Sequence, residues 1–127
     1  MKINLSFLLL FLFGGTVFAQ SPQKMSYQAV VRKNDNKLLV NSPVGVRISI
    51  LQASINGLVV YVEKHTASTN DNGLVTLEIG SGAVSQGNLS AVNWSAGPYF
   101  IKTEFDPNGG ITYSITSTTQ LLSVPYA

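Results

Sequence analysis

Beyond residue 24, apolar and polar residues alternate with a period of two along most of the chain, the pattern of strands that bury one face. Tyr27, Ala29 and Val31 alternate with Gln28, Val30 and Arg32, which predicts a first strand running into the turn Asn34-Asp35-Asn36-Lys37. Leu38 to Val40 predicts a short return strand. After the break at Asn41-Ser42-Pro43, Val44, Val46, Ile48 and Ile50 alternate with Gly45, Arg47, Ser49 and Leu51. This is the clearest strand of the chain, and its four β-branched residues predict a core face. Leu58 to Thr69 is a long β-prone run with two candidate faces. Val59, Tyr61, Glu63 and His65 share one, and Leu58, Val60, Val62 and Lys64 share the other. The more aliphatic set predicts the core side, leaving Tyr61, Glu63 and His65 as a polar stripe on the outer sheet face.

Asn70-Asp71-Asn72-Gly73 predicts a tight hairpin, because consecutive residues tolerant of positive φ suit the twist of paired strands. Val75, Leu77 and Ile79 then point inward on the return strand. Gly80 to Ala96 is rich in Gly, Ser and Asn and predicts a long surface connection with one irregular turn around Leu89 to Trp94. Asn93 to Asp106 holds the single tryptophan, a Gly97-Pro98 break and an aromatic strand, and it predicts the central strand of the fold with its lid. Pro98 opens that strand, Tyr99, Ile101, Thr103 and Phe105 share one side, and Trp94 folds back to cap the core. Asp106 to Gly110 predicts a turn, Ile111, Tyr113 and Ile115 a further strand, and Leu121 to Ala127 a last apolar strand.

No helical period follows residue 24. The pattern predicts an all-β protein, an antiparallel β-sandwich of about seven or eight strands, immunoglobulin-like or transthyretin-like in architecture. A closed barrel is the structural alternative.

The first 19 residues differ in kind. Lys2, an apolar run from Leu5 to Phe13, Gly14-Gly15 and the small-residue end Val17-Phe18-Ala19 predict a secretory signal peptide cleaved before Gln20. The apolar run is shorter than the roughly 20 residues that span a bilayer, so no membrane span is expected after cleavage. Residues 20–127 are then a single β-sandwich domain in a secreted or outer-surface protein. Phe7, Phe11, Phe13 and Phe18 leave with the leader, as does Lys2, which removes one unit from a formal net charge of +2. So small a charge makes no strong field, and no nucleic-acid partner is expected. The chain has no cysteine. An exported domain of this size must therefore be held by its core and ladders alone, without disulfides.

Five segments together carry a resemblance: Tyr27-Gln28-Ala29-Val30-Val31-Arg32, Arg47-Ile48-Ser49-Ile50-Leu51, Tyr61-Val62-Glu63-Lys64-His65-Thr66, Gly97-Pro98-Tyr99-Phe100-Ile101-Lys102 and Leu121-Leu122-Ser123-Val124-Pro125-Tyr126-Ala127. In order and spacing they resemble the N-terminal module of secreted surface proteins of Bacteroidota. The likeness covers essentially all of residues 20–127 and implies a surface setting rather than an activity. It also implies that Pro125-Tyr126-Ala127 leads into a further region.

Chemistry is thinly supported. His65 is the one histidine, so a single chain cannot build a His-rich zinc site. A Ser-His-Asp arrangement would join His65 to Asp35, Asp71 or Asp106, all in predicted turns, and no Gly-x-Ser-x-Gly elbow supports it. Glu78 and Glu104 could be cross-strand neighbours like a glycosidase pair, but nothing marks a cleft, and solvated carboxylates beside Lys64 and Lys102 account for them far better. The turns at Asn70 and Asp106 lack the acidic spacing of a calcium loop, and Gly80-Ser81-Gly82 lacks the ending of a phosphate loop. Asn88-Leu89-Ser90 and Asn93-Trp94-Ser95 match the glycosylation sequon. No catalytic residue, metal or other cofactor is expected.

Two functional readings remain, with a protein or a surface glycan as partner. One is a non-catalytic module for adhesion or assembly whose strands, above all Leu121 to Ala127, join another polypeptide. The other is a carbohydrate-binding module with Trp94, Tyr61 and Tyr99 as a stacking platform, against which stands core burial of the same rings.

Overall fold

The computed structural model describes residues 24–122. The leader read in residues 1–19, and residues 123–127 of the strand read from Leu121 to Ala127, lie outside the described residues. The fold is all-β, with seven strands among the described residues: β1 (Met25–Val30), β2 (Pro43–Gln52), β3 (Leu58–Ser68), β4 (Leu74–Ile79), β5 (Ala83–Gln86), β6 (Tyr99–Asp106) and β7 (Ile115–Leu121). β1 and β4 form a two-stranded antiparallel sheet. The other five form an antiparallel sheet in the order β5-β3-β2-β6-β7. The two sheets make an antiparallel β-sandwich, tied across by Thr103 Oγ1 of β6 donating to the Tyr27 hydroxyl of β1 at 2.8 Å.

The middle strand of the larger sheet is β2 and not, as the sequence predicts, the strand within Asn93 to Asp106, which as β6 lies beside it because β6 pairs with β2 on one edge and with the last strand, β7, on the other. Val44, Val46, Ile48 and Ile50 are wholly buried, as their alternation predicts. Tyr99, Ile101, Thr103 and Phe105 of β6 are buried beside them. Tyr27 and Ala29 of β1 and Leu77 of β4 pack against this core from the smaller sheet, where Val75 and Ile79 are fully enclosed.

Register explains why β3 buries the face opposite to the one its aliphatic residues predict. Directly opposed residues in an antiparallel pair share a face, and Val46, Ile48 and Ile50 lie opposite His65, Glu63 and Tyr61. Once β2 commits its β-branched residues to the core, Tyr61 and Glu63 must follow. The pairing then shifts from Ile50–Tyr61 to Leu51–Val59, so Val60 is an extra residue in a bulge and also packs against the core. Leu58 is 69% exposed.

Four connections differ from the sequence expectation. Asn70 to Gly73 does form a tight turn, with the Asn70 side-chain oxygen accepting from Asn72 and Leu74 amides at 2.8 and 3.0 Å. It closes no hairpin, however, because both edges of β3 are taken by β2 and β5, and β4 crosses to the other sheet. Gly80 to Ala96 holds β5 and two 3₁₀ turns, Leu89–Ala91 and Trp94–Ala96. Both turns are built from a repeated Asn-x-Ser-Ala. Asn88 accepts from the Ser90 amide and hydroxyl, and Asn93 does the same for Ser95. Each capped turn drives its first residue, Leu89 or Trp94, into the core. The two sequons are thus explained by local capping.

The third difference lies after β6. The strand expected from Ile111 begins only at Ile115, and Ile111 is 73% exposed. Asp106 holds the preceding loop by accepting from the Asn108 and Thr112 amides, each at 2.9 Å. That loop lies directly on β2: a Cβ on Gly45 would come within 1.8 Å of the Gly110 carbonyl oxygen. Leu38 to Val40 likewise makes only a single bridge, Arg32 to Leu38, in place of a return strand.

Candidate functional site

Tyr61, Glu63 and His65 come together inside the sandwich rather than as a stripe on its outer face. Glu63 is wholly buried. One carboxylate oxygen accepts from the Tyr61 hydroxyl at 2.6 Å and from the Gly80 amide at 2.7 Å, and the other bonds to Nε2 of His65. Burial, reinforced by the bond to Glu63, pushes the Tyr61 phenol far above its ordinary range. Gly82 closes over the imidazole, and a Cβ there would sit 2.6 Å from Nε2. The cluster ties β3 to the turn between β4 and β5. No serine or aspartate among the described residues is bonded to His65; Asp35 and Asp106 instead bond backbone amides of their own turns.

The three rings read as a stacking platform are in the core. Tyr61, Tyr99 and Trp94 are 1%, 2% and 6% exposed. Trp94 meets Tyr99 edge-on with centroids 5.1 Å apart. The Tyr99 hydroxyl donates to the Asn93 carbonyl at 2.6 Å. Their faces are spent on packing and the phenols on internal bonds, so they offer no platform to a sugar. Glu78 and Glu104 also separate. Glu78 lies on β4 of the small sheet, 3.9 Å from Lys24, while Glu104 lies on β6 of the large one.

The outer face of the large sheet carries the polar groups that solvent reaches. Arg47 of β2 donates to both oxygens of Glu104 at 2.8 and 2.9 Å, and the Tyr113 ring covers its guanidinium at 4.5 Å. The Arg47 bonds hold the Glu104 carboxyl below its ordinary value, although burial opposes this. Asp106 is lowered in the same direction by the Asn108 and Thr112 amides. Because a lowered folded-state pKa favours the ionised folded form, this stability is whole above the ordinary values of 4.5 and 3.8 and is lost as pH falls toward the lowered ones. The urea midpoint is therefore expected to be level down to about pH 5 and to fall below it. Glu104→Gln should flatten part of that fall. An equally steep acid decline in the variant would contradict the Glu104 contribution. Beside the pair, Ser49, Lys64 and Lys102 line an open cleft of about 350 Å³. A second cleft of about 470 Å³ lies between Lys64, Gly82 and Tyr113.

The larger sheet ends, among the described residues, on an edge that no strand covers. β7 pairs with β6 in unbroken register from Tyr99–Leu121 to Phe105–Ile115 and with no other strand among the described residues. Its sequence, Ile-Thr-Ser-Thr-Thr-Gln-Leu, has no charge, proline or glycine, and no Lys, Arg, Asp or Glu follows Asp106 anywhere in the chain. The opposite edge, β5, has four residues and an irregular register with β3. β1 is bracketed by Lys24 and by Arg32 and Lys33. The sequence reading places the joining strand at Leu121 to Ala127, whereas the described open edge is the stretch just before it. The charge-free run after Asp106 is the signal that points to it.

Among the described residues no group of three or more His, Asp or Glu side chains is placed to hold a metal, and no helix is long and apolar enough to cross a membrane. No curated protein and no solved structure matches the chain. The family described as a domain of unknown function, DUF8740, matches it over residues 26–119, from β1 through most of β7, and the chain belongs to that family.

Proposed function

We propose that the chain is a non-catalytic, exported cell-surface module that joins surfaces by accepting a strand of another polypeptide along β7. The observation that carries this reading is the edge itself. Sheet edges are ordinarily blunted by charges, prolines, bulges or short length, and β7 is seven residues long with none of these devices. An added strand would gain main-chain hydrogen bonds along β7 while its side chains extended both faces of the sheet. Export is supported by the leader pattern of residues 1–19. The surface setting is supported by the resemblance to N-terminal modules of Bacteroidota surface proteins. A non-catalytic role is supported by the placement of His65, which bonds Glu63 under the cover of Gly82 and is hydrogen-bonded to no serine or threonine hydroxyl among the described residues.

The test is a photo-crosslinking residue placed at Thr118 in the native host. The expected result is an adduct to a second polypeptide chain, with the protein removed from intact cells by external protease. A protein that stays protected from external protease, or one that forms no adduct, overturns the reading.

A further inference from the structure

The residue pattern of β7 is self-complementary. For an antiparallel mate centred on Thr118, Ile115 would lie opposite Leu121, Thr116 opposite Gln120, Ser117 opposite Thr119, and Thr118 opposite itself. All seven residues are used. Ile115 and Leu121 are both partly buried and both packed against the core, and they sit on the face that carries Phe105 and Tyr99, their partners in β6. In this register an inward apolar residue at one end of the strand meets an inward apolar residue at the other. The hydroxyl and amide side chains of Thr116, Thr118 and Gln120 meet on the outer face. No like charges are opposed, because the strand has none. Centring the mate one residue earlier or later shortens the paired stretch and sets Ile115 or Leu121 opposite a polar residue.

We propose that β7 pairs with β7 of a second copy of this chain about a two-fold axis through Thr118, giving one continuous sheet through both molecules. This rests on the strand-addition reading and names its partner. A two-fold contact of this kind is isologous: each copy supplies the same edge, and pairing consumes both open edges, so the assembly closes at two. A short single-strand seam buries far less than a standard stable interface, so the dimer is expected to be weak and concentration-dependent.

The chain has no cysteine, so one introduced thiol reports the register without competition. On the axis, residue 118 meets its own mate with Cα atoms about 4.5–5.5 Å apart, within disulfide reach. Residue 116 lies four residues of rise, about 13 Å, from its mate and out of reach. The experiment uses purified full chain carrying Thr118→Cys or Thr116→Cys, oxidised with copper-phenanthroline, beside sedimentation of the unsubstituted protein across a concentration series. The expected result is a monomer–dimer equilibrium in the unsubstituted protein, with disulfide-linked dimer forming at least tenfold faster from Thr118→Cys. Equal rates at the two positions overturn the register. A monomer at every concentration overturns self-pairing. If the crosslink from Thr118 still reaches a different polypeptide, strand addition stands and only the identity of the partner falls; if it reaches nothing, both fall.

Discussion

Replacing Trp94 by alanine is expected to lower the stability of the protein by about 3–5 kcal/mol, the range for emptying a buried tryptophan site. The ring is 6% exposed and packs edge-on against Tyr99, itself 2% exposed and anchored by its hydroxyl to the Asn93 carbonyl. The Asn93 cap leaves little room for the site to collapse, because Ser95 binds the Asn93 side chain through both its amide and its hydroxyl. Removing the ring therefore leaves a cavity beneath a turn whose backbone is held from outside. Against a total of about 5–15 kcal/mol typical of a domain, such a loss is a large fraction. Trp94 is also the only tryptophan, so the urea midpoint of the variant should be followed by far-ultraviolet circular dichroism. A midpoint equal to that of the parent would contradict the burial and return the ring to solvent.

Glu63→Ala is expected to cost a similar amount, about 3–5 kcal/mol, for a different reason. The carboxylate is the shared acceptor of the Tyr61 hydroxyl, the Gly80 amide and His65 Nε2. Its removal leaves these groups without their shared acceptor in a largely buried site, and each orphaned buried donor costs about 1–3 kcal/mol. Glu63→Gln should be milder, about 1–3 kcal/mol, because the amide oxygen can still accept from Tyr61 and Gly80. The amide nitrogen must then face His65, which can accept through its neutral form. The ordering of the two variants in urea or thermal melts is the check. An alanine variant no less stable than the glutamine variant would show that the cluster is not held by those three bonds.

The strands whose alternation coincides with burial on both sides of the core were legible from residues alone. β2 and β6 bury the faces that Val44 to Ile50 and Tyr99 to Phe105 predict, and Trp94 is buried as its cap role requires. What failed was whatever depended on a partner distant in sequence. The core side of β3 is decided by its register with β2, and the Gly80 amide that helps make Glu63 tolerable in the core is contributed by the turn after β4. The turn chemistry at Asn70 to Gly73 was readable because it is local. Its exit into the other sheet was not, because that depends on β2 and β5 already flanking β3. The late start of β7 follows from Gly110 lying against Gly45, a contact between residues far apart in the chain.

The same division holds for the candidate site. Rings that could stack on a sugar also satisfy a core, and composition cannot choose between the two. Packing resolves it, since Trp94, Tyr61 and Tyr99 all turn inward. An open edge is a property of strand order, which places β7 last in the sheet. Only its lack of charge, continuous from Pro107 onward, is written in the residues themselves.

The most direct test of β7 as the interacting element is a comparison of that edge with two others by photo-crosslinking in the native host, from Thr118 on β7, Val84 on β5 and Gln28 on β1. The account predicts a discrete adduct from Thr118 and none of comparable yield from the other two positions. Equal adducts from all three, or an adduct from Val84 or Gln28 with none from Thr118, would contradict it.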